Sequence, residues 1–74
     1  MDNKDKLELL RELEGYDTVM DMLEKATFDS VCPGICSEPG CDYIATVEPD
    51  QDKGWCAACE KGTVKSALIL AGLI

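Results

Sequence analysis

A chain of 74 residues with 15 acidic and 7 basic side chains, five cysteines and no histidine has room for one small, acidic domain. At this length folding buries only about 60% of the surface that the unfolded chain exposes, so an apolar core alone is marginal and some further staple is needed. The formal net charge of −8 opposes binding to phosphate backbones, and without histidine the usual acid-base side chain near neutral pH is missing.

Asn3 to Glu14 (NKDKLELLRELE) places Leu7, Leu10 and Leu13 at spacing three, with Leu9 beside them and Lys4, Glu8, Arg11 and Glu12 largely elsewhere, which predicts an amphipathic helix. Gly15 is placed to end it. Thr18 and Asp21 resemble a capping box, and Val19, Met20, Leu23 and Ala26 continue at helical period to about Thr27. The expectation is a helical hairpin, with one helix broken at Gly15-Tyr16 as the alternative. Met20 and Met22 read as gap-fillers in its packing. A DNA-reading helix pair is opposed by nine acids against four bases in residues 1–31.

Cys32-Pro33-Gly34 and Glu38-Pro39-Gly40 both read as turns. Tyr43 to Val47 has the aromatic and β-branched character of a strand, and Glu48 to Gly54 is a polar loop. Asp50 and Asp52 in that loop lack the further oxygen ligands at the spacing that a calcium loop requires. Trp55 leads into Cys56-Ala57-Ala58-Cys59, so residues 41–59 predict a β-hairpin with a cysteine pair at its base.

The run TVKSALILAGLI predicts an apolar C-terminal helix over 63–74, capped by Thr63, with Val64, Ala67, Leu68 and Ala71 on one face and Ile69 and Leu70 widening it. A short buried strand fits the same run on periodicity alone. Its apolar part is far shorter than the about 20 residues of a membrane span. It is expected to cover the N-terminal helices, with a docking or homodimer surface over 64–74 as the alternative.

The cysteines follow the spacing Cys32-x3-Cys36-x4-Cys41-x14-Cys56-x2-Cys59. The first residues, Met1 to Lys6, run into charged helical sequence with no apolar targeting segment, which predicts a cytoplasmic location and reduced thiols. Five is an odd number for disulfides, and two close groups separated by a hairpin length form the zinc-ribbon arrangement. One zinc ion held by four thiolates is the expected cofactor, since zinc accepts tetrahedral sulfur and the chain has no imidazole to offer.

Cys56 and Cys59 supply one half of the site. Cys36 and Cys41 are expected to supply the other, because Pro39-Gly40 can fold the chain so that their thiols converge; Cys32 with Cys36, around the workable turn Pro33-Gly34-Ile35, is the alternative, at the cost of stranding Cys41. Cys32 is then a small buried hydrophobe. A redox-sensing role for it lacks support, since no lysine or arginine stands within six residues to lower its pKa.

The stretch ICSEPGCDYIATVEPDQDKGWCAACEKGTVKSALILAGLI, residues 35–74, resembles a group of short zinc-ribbon-like proteins of bacteria and their phages. The resemblance implies Cys36, Cys41, Cys56 and Cys59 as the metal ligands, Cys32 being a departure, and it implies no activity. Residues 1–74 are thus expected to form a small α+β metal-stapled domain: helical over 1–31, zinc-ribbon-like over 32–62, and a short C-terminal helix over 63–74. The expected function is a non-catalytic structural-zinc module acting through a protein partner. The alternatives are a rubredoxin-like iron electron-transfer protein, from which the x4 pair and Glu60-Lys61 depart, and a nucleic-acid-binding ribbon with Trp55 and Tyr43 stacking on bases.

Overall fold

Two helices, four antiparallel strands and a short helix follow one another in a computed structural model that describes residues 3–74. Met1 and Asp2, part of the segment read for a targeting signal, lie outside the described residues. Helix α1 spans Asn3–Glu14 and α2 spans Val19–Phe28, a true hairpin rather than one broken helix. Gly15, at φ 80°, closes α1 by donating to the Arg11 and Glu12 carbonyls. Thr18 caps α2, its hydroxyl accepting from the Asp21 N–H at 3.1 Å. No helix among the described residues is long and apolar enough to cross a membrane.

The strands are β1 (Cys32–Cys36), β2 (Ile44–Val47), β3 (Gly54–Cys56) and β4 (Lys61–Ser66), in the spatial order β2-β1-β4-β3. Two expectations are corrected here. Cys32-Pro33-Gly34 is strand, and Ile44–Val47 pairs with it, Cys32 opposite Val47 and Ile35 opposite Ile44, so residues 41–59 are not one hairpin. Proline is tolerated inside this central strand because pairing of β1 with β4 begins only at Gly34, leaving Pro33 an edge position on that side. Gly34 is needed for the close approach of the strands: a Cβ there would stand 2.8 Å from the Val47 side chain and 3.0 Å from the Lys65 carbonyl.

The second correction concerns the apolar C-terminal run. Residues 63–66 belong to β4, and the helix is only α3 (Ala67–Leu70), capped by Ser66 rather than Thr63. Val64 is β-branched and pairs with two strands, Cys36 of β1 on one side and Gly54 of β3 on the other, which outweighs a helical turn, and the Thr63 carbonyl accepts from the Ser37 N–H. Ser66 Oγ accepts from the Ile69 N–H at 3.1 Å and donates to the Pro49 carbonyl, tying the start of α3 to the β2–β3 loop.

Leu7, Leu10, Met22, Leu23, Ala26, Cys32, Ile35, Ala67, Leu68 and Leu70 form one buried apolar cluster, in which the helices close over β1. Cys36, Cys56 and Val64 form a second at the other end of the sheet. Two leucine and methionine expectations shift. Leu13, on the last turn of α1, runs past the core and is 43% exposed, and Met20 stands 71% exposed while Met22 is buried.

Leu10→Ala is expected to lower the unfolding free energy of the metal-loaded protein by about 2–5 kcal/mol, because the cavity lies where helices and sheet meet. Leu13→Ala is expected to change it by less than about 0.5 kcal/mol. Urea unfolding of both variants at one fixed metal concentration checks the contrast.

Candidate metal centre

Antiparallel pairing of β1 with β4 and of β4 with β3 makes the ends of β1 and β3 point the same way. Cys36 ends β1 and Cys56 ends β3, and each strand runs straight into a tight loop carrying the second cysteine of its pair, Cys41 and Cys59. The four Sγ atoms all lie within 4.8 Å of one another. Cys36 Sγ and Cys59 Sγ are 3.7 Å apart, and Cys41 Sγ and Cys56 Sγ are 3.8 Å apart. All five thiols are free, and these separations are far from the about 2.05 Å of a disulfide.

A tetrahedral ion with sulfur at about 2.3 Å requires sulfur-sulfur separations of about 3.8 Å. Two opposite edges of the cluster already have that length, so four cysteines can hold one metal ion here with small contraction of the remaining edges. Cys32 is not among them. It sits four residues up β1 from Cys36, about 13 Å along a strand, buried in the helix-facing cluster.

Both loops are shaped as sulfur cradles. The Glu38 N–H points at Cys36 Sγ at 3.5 Å and the Cys59 N–H at Cys56 Sγ at 3.3 Å, so backbone donors face the sulfurs that would carry charge. Cys41 N–H donates to the Glu38 carbonyl, and Gly40, at φ 82°, turns the chain between them. In the second loop that left-handed position falls to Glu60, at φ 56°, whose N–H donates to the Cys56 carbonyl at 2.7 Å.

Two further side chains complete the site, and neither was expected from the sequence. Thr63, read as a helix cap, has its Oγ1 3.1 Å from Cys36 Sγ. Lys6 is 1% exposed, and its ammonium donates to the carbonyls of Glu38 and Cys41, each at 2.6 Å. A buried charge is costly without partners, and here α1 delivers it into the first cysteine loop, whose carbonyls accept it. No local signal marks Lys6 as different from the exposed Lys4; it shares the inner face of α1 with Leu7 and Leu10, which only the helix register could have suggested. By contrast, Lys61 and Glu38 link the two loops at 3.7 Å on the surface, where such a pair contributes little.

The thiols are electrostatically in conflict without a cation. Burial pushes the Cys36 thiol up, but hydrogen bonds from the Thr63 hydroxyl, the Glu38 N–H and the neighbouring thiols outweigh it and hold it at about 7. Cys59 is pushed up to about 12 by its contacts with Cys41 and Cys36, with burial and the charge on Cys36 adding to the shift. The Tyr43 backbone pulls Cys41 down, yet burial and the thiols of Cys36 and Cys56 raise it on balance. Ionising the first thiol thus opposes ionising the next, and a divalent cation among the four sulfurs removes that opposition.

Lys6→Met is expected to weaken zinc affinity by about 10- to 100-fold, the usual cost of losing an outer-shell partner, as measured by competition with a chelator. Protons and metal compete for the same sulfurs, so affinity for zinc is expected to fall with pH already above 7, where the raised Cys59 and Cys41 thiols hold their protons, and more steeply below about 7, where Cys36 gains its own. Calorimetry in buffers of different ionisation enthalpy should show proton release on binding, with more protons released below pH 7 than above it.

Compared with known proteins, the chain matches no protein-family model, no curated protein and no solved structure, so the chemistry of this site is read from its own geometry.

Proposed function

We propose that this protein is a non-catalytic module stapled by one structural zinc ion on Cys36, Cys41, Cys56 and Cys59, of zinc-ribbon type, and that it acts by binding another protein. The observation that carries the proposal is the closed set of four mutually adjacent thiols at the tips of two hairpins. Catalytic zinc keeps three protein ligands and an open position, whereas four thiolates fill the tetrahedron. With zinc bound to four thiolates the chain carries a charge of about −10, more acidic than its formal −8.

Zinc suits the arrangement because it needs only tetrahedral sulfur and contributes folding energy to a chain whose apolar core is small. Iron is bound by the same donors. The second loop, however, places Glu60 at the left-handed position where a rubredoxin-like knuckle carries glycine. The acidic surface supports a protein partner over a nucleic acid, whose phosphates it would repel.

Native mass spectrometry of the protein isolated under reducing conditions is expected to show one zinc per chain. Alkylation without denaturation should leave all five thiols unmodified, the four by coordination and Cys32 by burial, until a chelator is added. A coloured protein carrying iron, or one that holds no metal while its fold persists, would overturn the zinc reading.

A further inference from the structure

Between α2 and the segment after α3 runs an open groove of about 450 Å³, lined by Met20, Leu23, Glu24, Thr27, Ala71 and Leu73. The four residues from α2 stand at i, i+3, i+4 and i+7, a single helix face. Phe28 continues the row of Met20 and Glu24 by one turn and is 83% exposed. Single exposed apolar side chains need no explanation, but Met20 and Leu73, both exposed, line one groove from its two sides, and grouping of that kind marks a contact surface.

Both walls of this groove are built. On one side Leu23 is anchored in the core while Met20 reaches out beyond it. On the other, the Gly72 N–H donates to the Ile69 carbonyl and the Leu73 N–H to the Leu68 carbonyl, both at 3.0 Å, with Gly72 at φ 74°. This double closure fixes the path of the chain past the helix end. Leu73 is nevertheless 63% exposed, held at the groove rim instead of folded away.

The charge of the groove and of the helix that walls it decides what fits: Glu24 lines the groove itself. Asp17, Asp21, Glu24 and Asp29 lie along α2 and at its two ends, against Lys25 alone. A second copy docked face to face would bring these acids together, in molecules that each carry −8. The complementary surface is a helix with apolar anchors at i, i+3 or i+4 and i+7, flanked by lysine or arginine. Apolar contacts in the groove supply affinity, and the acids steer the approach and fix its orientation.

We propose that this groove docks a basic amphipathic helix of a protein partner, a proposal that rests on reading the zinc-stapled chain as an interaction module. The probe is a labelled leucine-lysine peptide of about 16 residues, long enough to hold a helix, with its leucines at helical spacing. Its control has the same composition with the leucines dispersed around the helix. Metal-loaded protein is titrated with each at several salt concentrations, and the methyl resonances of Met20, Leu23 and Leu73 are followed by NMR.

The amphipathic peptide is expected to bind one to one, at least about tenfold more tightly than its control, with shifts centred on those methyls and affinity falling as salt rises. Met20→Glu and Leu73→Glu, both at exposed positions, are expected to weaken binding at least about tenfold each while leaving the unfolding midpoint unchanged. Equal binding of both peptides, or binding that survives both substitutions, would overturn the proposal. So would self-association of the free protein that Met20→Glu abolishes, which would make a second copy the occupant. Zinc content is measured on the same samples, so that loss of metal, which bears on the proposed function, is distinguished from loss of docking.

Discussion

Pairing of β1 with β4, from Gly34 opposite Ser66 to Cys36 opposite Val64, governs where everything else in this molecule lies. It joins two hairpins side by side, and because the strands alternate in direction it sends both hairpin turns to one end of the sheet. Each turn carries two thiols, so convergence of four sulfurs is a consequence of strand direction. The same pairing sets β1 in the middle of the sheet with its other end, at Cys32, under the helices. One strand therefore serves two environments, apolar at its start and part of the four-thiol cluster at its finish.

Those two environments are small, and neither has much to spare. Three of the four strands are only three to five residues long, and the buried residues around the thiols are Cys36, Cys56 and Val64. An apolar cluster of that size cannot order two loops, since each fixed residue costs about 1–2 kcal/mol of backbone entropy. A metal ion can, because apparent binding energies at thiolate zinc sites run to about 10–16 kcal/mol. Lys6 links the ends: it precedes the core residue Leu7 on α1, and its ammonium donates into the first cysteine loop. Its charge has the sign that a metal bound to four thiolates, itself carrying −2, would attract.

Much of this was legible from sequence because it is locally encoded. Periodic leucines with Gly15 and Thr18 as punctuation gave both N-terminal helices nearly to the residue, and the cysteine spacing singled out the four thiols that the fold brings together. What local pattern missed depends on partners far along the chain. Pro33-Gly34 has the composition of a turn and becomes strand because β2 pairs with both residues and β4 with Gly34, and residues 63–66 become strand between β1 and β3. Lys6 is buried by loops more than thirty residues away. Met20 and Met22 are alike in composition and opposite in exposure, a matter of helix rotation that hydrophobicity alone does not resolve.

The position of β4 in the chain has a consequence for how the molecule assembles. It lies between β1 and β3 in space yet spans residues 61–66, so a nascent chain that has already made both helices and β1 still has no partner for the inner edge of its sheet. Cys59 arrives only just before it, so the four clustered thiols are all present only once the chain has reached residue 59. Helices this short are marginal in isolation. The inner edge of the sheet therefore waits for long-range contacts that exist only after residues 61–66 have been made.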